Sequence, residues 1–197
     1  KNLQKDGNVL VFSNAAAAVS DAGAFENNIV DLTGMKLRMD RAAMEVYRVR
    51  PVPCNAPMAR GLKDNVLSEM RQPLVWVDDP QAIGFGEISG TGKTGWAVKR
   101  FPGWTSVFVA LPGAVTPELV RNIAREAGLE PLGPNGDVTS GGNGFITLHA
   151  LSDGEKSLVW KGPCDLEDLT TGQWAGKNLE TLKFPMQAGE TRWFRRR

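Results

Sequence analysis

The sequence predicts two parts in tandem: an α/β layer over residues 1–130, followed by a small all-β sandwich over residues 131–197. Three observations predict this. Trp104–Leu111 (WTSVFVAL) carries Val107, Phe108, Val109, Ala110 and Leu111 in a row between two Pro-Gly pairs, as a strand buried on both faces requires. A helix with clear ends follows it. Thr116 stands at the N-cap and Pro117 at the first helical position, where its missing N–H costs nothing. Leu119, Val120, Ile123, Ala124 and Ala127 recur at helical spacing, and Gly128 supplies the stop. Beyond Gly128, short apolar segments alternate with turn residues at about ten-residue spacing, the pattern of a small antiparallel sandwich.

Taken in order, Lys1–Gly7 reads as the end of a helix with its glycine stop, so the chain is expected to be a segment of a longer polypeptide. Asn8–Ser13 (NVLVFS) reads as a buried strand. Residues 14–23 are small and Ala-rich, a loop or a short helix. Ala24–Leu32 places Phe25, Ile29 and Leu32 on one helical face, ended by Thr33-Gly34. Met35–Arg50 alternates and holds one or two strands. Pro51, Pro53 and Pro57 make the next stretch irregular. Ala59–Met70 is a weak segment, and Pro73–Val77 is a strand that runs into Asp78-Asp79-Pro80. Ile83–Ile88 and Trp96–Phe101 flank a Gly-rich reversal and form a hairpin. The Gly- and Pro-rich stretch Pro131–Gly144 reads as a junction between domains. Strands are expected at Phe145–Ala150, Lys156–Trp160, Cys164–Leu169, Leu179–Phe184 and Arg192–Arg196.

The 197 residues are 42% apolar and 23% charged with a net charge of +1, which suits a globular protein and provides no global field for a nucleic-acid partner. No apolar run reaches the ~18–20 residues of a membrane-spanning helix, so no membrane partner is expected. Cys54 and Cys164 belong to no CxxC pair; they read as free thiols, with a disulfide as the alternative. A single histidine, His149, excludes three-histidine zinc designs. It lies inside the strand FITLHA, away from any serine elbow, and reads as a structural or interface residue. No catalytic residue, metal or cofactor is expected.

Two motifs resemble nucleotide sites and fall short. Ser89-Gly90-Thr91-Gly92-Lys93-Thr94 has the end of a phosphate loop, but Glu87 occupies the position of the first glycine and a strand follows where a helix is needed. It reads as a hairpin tip with Lys93 in solvent. Gly84-Phe85-Gly86 lacks the third glycine, since Ser89 stands there. The ligand-binding candidates are four. Asp78 and Asp79 sit at a strand end, where carboxylates bind ligands or act as acid and base; an ordinary turn is the alternative. Trp96 and Trp104 flank the hairpin, and their rings are stacking platforms for a sugar or parts of the core.

Four stretches resemble the C-terminal part of glycoside hydrolase family 42 β-galactosidases: NVLVFSNAAAAVSDAGAFENNIVDLTGMKL, GWAVKRFPGWTSVFVALPGAVTPELVRNIAREAGL, NGFITLHALSDGEKSLVWKGPCDLEDLTTGQW and FPMQAGETRWF. The resemblance implies a partial flavodoxin- or amidotransferase-like α/β layer of the kind associated with trimer assembly, then the family's small C-terminal β domain. It implies catalysis by two glutamates on a preceding (β/α)8 barrel, which takes roughly 250 residues and lies outside this chain. No catalytic glutamate carries over, and Cys54 and His149 do not make an amidotransferase pair. The expected role is that of a non-catalytic accessory and assembly segment of a carbohydrate-active enzyme. Its expected partners are a catalytic barrel upstream of Lys1, carbohydrate, and further copies of itself in a homo-oligomer. The alternatives are a free-standing carbohydrate-binding module and a small hydrolase using Asp78 or Asp79.

Overall fold

The computed structural model describes residues 1–14, 19–20, 23–24, 26–42, 45–64, 69–70, 73–134 and 136–197. The expectations for the Ala-rich stretch, for Phe25 and for the middle of Ala59–Met70 fall wholly or largely outside these residues. The chain divides into two compact units, Lys1–Ala127 and Gly128–Arg197.

In the first unit the strands are β1 (Asn8–Ser13), β2 (Val19–Ser20), β3 (Gly23–Ala24), β4 (Leu37–Asp40), β5 (Val46–Tyr47), β6 (Val49–Pro51), β7 (Glu69–Met70), β8 (Leu74–Val77), β9 (Ile83–Ile88), β10 (Lys93–Phe101) and β11 (Trp104–Val109). The α-helices are α1 (Glu26–Thr33) and α2 (Pro117–Glu126). Seven strands form one sheet in the order β1-β11-β10-β8-β4, with β9 also beside β10 and β6 beside β9. The pairs β2–β3 and β5–β7 stand apart.

This overturns the expected α/β layer. Among the described residues only β1 and β11 run parallel, with Val11 opposite Val107. The pairs β10–β11, β10–β9, β10–β8, β4–β8 and β6–β9 are all antiparallel. The cause lies in the connections. Phe101 pairs with Trp104 across Pro102-Gly103, and Lys93 pairs with Ile88 across the Gly-rich tip. Links this short reverse the chain, whereas a parallel layer needs crossovers of about a dozen residues or more. The Trp104 strand is therefore the second arm of a hairpin.

Locally the expectations fare better. Thr116 Oγ1 accepts the Leu119 N–H at 3.2 Å and Pro117 opens α2. Gly128 follows with φ +74°. Leu119 is buried and Ile123 packs on the core, but Val120 faces solvent. Asn122 holds the helix down by donating to the carbonyls of Met58 at 2.9 Å and Arg60 at 2.8 Å. Val107 to Leu111 are all buried. In the edge strand β1, Val9 and Phe12 pack on the core, but Val11 is exposed rather than buried. Lys1–Gly7 is a pair of turns rather than a helix end, and the Gly7 N–H is bonded to the Gly103 carbonyl at 2.9 Å.

The second unit is one five-stranded antiparallel sheet: β12 (Val138–Gly142), β13 (Phe145–His149), β14 (Gly154–Asp168), β15 (Gln173–Met186) and β16 (Thr191–Arg196). Their order is β12-β13-β16-β14-β15. The expected sandwich of two sheets is corrected to a single sheet. Lys161-Gly162-Pro163 does not reverse the chain. Gly162, with φ +75°, and Pro163, which has no N–H to donate, interrupt the ladder between Val159 and Cys164 while β14 continues. A second correction concerns Pro131–Gly144, which contains β12. Asn143 (φ +50°) and Gly144 (φ +80°) form the two-residue turn into β13, a turn that needs positive φ at both positions. One face of the sheet carries the unit's core, including Ile146, Leu148, Leu158, Trp160, Leu166 and Phe194. Among the described residues, no helix of the chain is long and apolar enough to cross a membrane.

Candidate functional site

The four candidates from the sequence lie in the first unit. Asp79 follows β8, and both its oxygens are engaged. Oδ2 accepts Lys99 Nζ at 2.8 Å and the Lys36 N–H at 3.1 Å, while Oδ1 accepts the Gln81 N–H at 2.9 Å. The side chains of Asp79 and Lys99 are 6% and 14% exposed. Burial pushes the Asp79 carboxyl up, but the Lys99 hydrogen bond, the two backbone N–H groups and the Lys99 charge outweigh it and hold it below the ordinary aspartate range. A carboxylate saturated in this way ties a loop to the sheet. Asp78 points elsewhere, to Arg38 Nε at 3.0 Å and Lys36 Nζ at 3.7 Å, in an exposed cluster.

The tryptophans separate as well. Trp96 is 0% exposed, stacks on Phe85 at 6.0 Å, and presents no ring face to solvent. Its indole Nε1 is buried without a hydrogen-bond partner. Trp104 is half-buried, with one face stacked on Phe101 at 4.6 Å and an edge-to-face contact with Phe12 at 6.5 Å. At the β9–β10 tip, Glu87 takes the Gly92 N–H at 3.2 Å and Arg50 Nη2 at 3.2 Å. Lys93 is not simply in solvent: its Nζ lies 4.0 Å above the Trp76 ring. Cys54 and Cys164 are free thiols in different units.

The second unit holds the better-formed site. A cleft of about 270 Å³ is lined by residues of β14, β15 and β16 and of the turn between β14 and β15. Alternation explains its contents. Phe194 and Leu166 point into the core, so their second neighbours Arg192 and Asp168 point to the same side. Asp168 is buried and its Oδ1 accepts the N–H groups of Thr170 at 2.8 Å and Thr171 at 3.3 Å, shaping the turn. Its Oδ2 faces Arg192 Nη1 at 3.5 Å. The Arg192 guanidinium also lies 5.4 Å over the Phe184 ring, which meets Phe194 at 5.2 Å. Trp174, half-exposed, and Gln173 complete the lining. Charge, hydroxyl, amide and aromatic groups thus converge, as in small-molecule sites.

The opposite face of the same sheet presents Phe145 and Trp193 beside Ser140, Asn143 and Thr147, around a shallow depression of about 440 Å³. Trp193 is 53% exposed. His149 shares this face and hydrogen-bonds Thr191 Oγ1 through Nδ1 at 2.8 Å. Sequence reasoning missed both faces. The available signal was the alternation in Thr191–Arg196 (TRWFRR): an inward Phe194 forces Arg192 inward and Trp193 outward.

No protein-family model matches the chain, and no curated protein does. Its fold is similar to parts of solved β-galactosidases. One from Bacillus circulans sp. alkalophilus superposes with a TM-score of 0.64 at 15% identity, covering 100% of this chain and 30% of that one. A catalytic mutant of a GH42 β-galactosidase from G. stearothermophilus gives 0.59 at 12% identity, covering 100% and 29%. A β-galactosidase from Rahnella sp. R3 gives 0.54 at 16% identity, covering 100% and 30%. The likeness is one of fold, and the chain spans about 30% of the length of these structures.

Proposed function

We propose that the chain is a non-catalytic accessory segment of a β-galactosidase-like glycoside hydrolase, serving assembly and the shaping of a sugar site built elsewhere. One observation carries this reading: the fold of the whole chain, through both units, is similar to about 30% of the length of β-galactosidase chains. The ties of Asp79 support a structural role for it. The partners this reading calls for are a catalytic barrel on the same polypeptide and further copies of the enzyme. The exposed Phe145–Trp193 face suits cover by the rest of such a polypeptide.

The test is the intact mass of the native polypeptide. A mass exceeding 21.4 kDa by at least a barrel of roughly 250 residues supports the accessory reading. A native mass near 21.4 kDa overturns it. The second reading, a free-standing carbohydrate-binding module, would then take its place, favoured by the half-exposed Trp174 and Trp193.

A further inference from the structure

We propose that the cleft between β14, β15 and β16 binds a neutral saccharide, with Arg192 and Asp168 reading adjacent hydroxyls. The inference stands on the geometry of this unit and does not need the accessory reading. The cleft offers donors and acceptors side by side. Among the described residues, Asp168 Oδ2 faces Arg192, at 3.5 Å, so it retains lone pairs for a hydroxyl. Arg192 has five N–H donors, of which only the Nη1 side meets Asp168. Thr171 and the Gln173 amide add further polar groups on one side.

The charge balance selects the ligand. Arg192 and Asp168 cancel, and Lys183, which also lines the cleft, faces Glu155 at 3.8 Å. The shielded charges of the cleft, Arg192 and Asp168, balance each other and gain little from an anion or a cation, while Lys183 is 63% exposed and screened by water at the rim. The cleft suits a ligand whose hydroxyls both donate and accept. Phe184 and Phe194 form the buried floor under the Arg192 guanidinium, and the exposed aromatic surface of the lining is that of Trp174, 53% exposed, which suits the C–H face of a sugar ring. A cleft of about 270 Å³ accommodates one or two pyranose rings at most.

The test is titration of the isotope-labelled full chain with methyl β-D-galactopyranoside and with methyl β-D-glucopyranoside, read by amide and indole chemical shifts. Saturable shifts are expected at Thr171, Gln173, Trp174 and Arg192 at millimolar glycoside. Arg192→Gln should weaken binding about tenfold or more, the loss expected for a hydrogen bond to a charged group. Phe145→Ala, on the opposite face, should leave binding unchanged. Because Arg192 also contacts Asp168, Gln173→Ala serves as a second variant that spares the ion pair, and it should weaken binding too. The absence of saturable shifts with both glycosides at tens of millimolar overturns the proposal. So do shifts that survive in both variants. Sodium sulfate is the third titrant, and saturable shifts at Arg192 with sulfate but with neither glycoside would make the cleft an anion site instead.

Discussion

Lys156 and Asp137 form an ion pair almost sealed from water: Nζ lies 2.9 Å from one carboxylate oxygen and 3.1 Å from the other, with side chains 5% and 3% exposed. Ser152 Oγ also accepts from Nζ, at 3.1 Å, and the Leu151 N–H reaches the carboxylate at 2.9 Å. The pair joins the approach to β12 to the start of β14. Its partners are satisfied, so its effect on stability shows only when one is removed. Lys156→Met leaves a buried carboxylate without its cation and should cost about 3–5 kcal/mol. Urea denaturation followed by tryptophan fluorescence checks this. A cost below about 1 kcal/mol would show that water reaches the pair.

Acid should weaken the same contact. Burial raises the Asp137 carboxyl, but the Lys156 hydrogen bond, the Leu151 N–H and the charges of Lys156 and His149 bring it below its ordinary value. A carboxyl lowered in the folded state contributes stability that is fully present above the unfolded value of about 3.9 and is lost as pH falls through the folded value. The urea midpoint should therefore drop on acidification below about pH 4 to 5, and Asp137→Asn should flatten that drop. An unchanged slope in the variant would refute the assignment.

Gly86 lies opposite Trp96 in the β9–β10 ladder, and a Cβ there would overlap the indole ring. Trp96 is fully buried and stacked on Phe85, so the ring has nowhere to move. Gly86→Ala should destabilise the first unit by about 1–3 kcal/mol through overpacking. Gly103→Ala is the control. Its Cβ would meet nothing nearer than the Lys5 Cα at 3.7 Å, so its effect should stay within about 0.5 kcal/mol. Equal effects in thermal unfolding would contradict the close approach.

The cap of α2 gives a graded prediction. Thr116→Ala removes the acceptor for the Leu119 N–H and should cost about 1 kcal/mol, while Thr116→Ser should retain most of it. Hydrogen exchange at Leu119 is the sharper readout, since only the alanine variant leaves that amide uncapped.

Asp79→Ala should act on stability. It deprives Lys99 of its partner and two backbone N–H groups of their acceptor, a loss of about 3 kcal/mol for a partly shielded pair. If the variant instead unfolds at the same urea concentration as the parent, the carboxylate is free for another task.

The sequence by itself determined where elements begin and stop and which residues avoid water. Thr116, Pro117 and Gly128 bracket α2 because capping is chemistry within one turn of chain. The run from Val107 to Leu111 is buried because five apolar side chains in succession have no polar face to offer. Tertiary structure alone decided the direction and pairing of strands. A strand, a turn and a helix read the same in a parallel layer and in this mostly antiparallel sheet. Hydrogen-bond ladders form between segments far apart in the chain, as between Leu37 and Val77 or Asn8 and Trp104. Tertiary structure also chose which tryptophans face outward, because a strand's period of two fixes the alternation but not its phase. Phase follows from the partner strands, which bury Trp96 and leave Trp193 and Trp174 at the surface. Arg192 and Asp168 come together for the same reason: β14 and β16 pair, with Asp168 opposite Phe194, and the inward side of that ladder leaves the two charges facing one cleft.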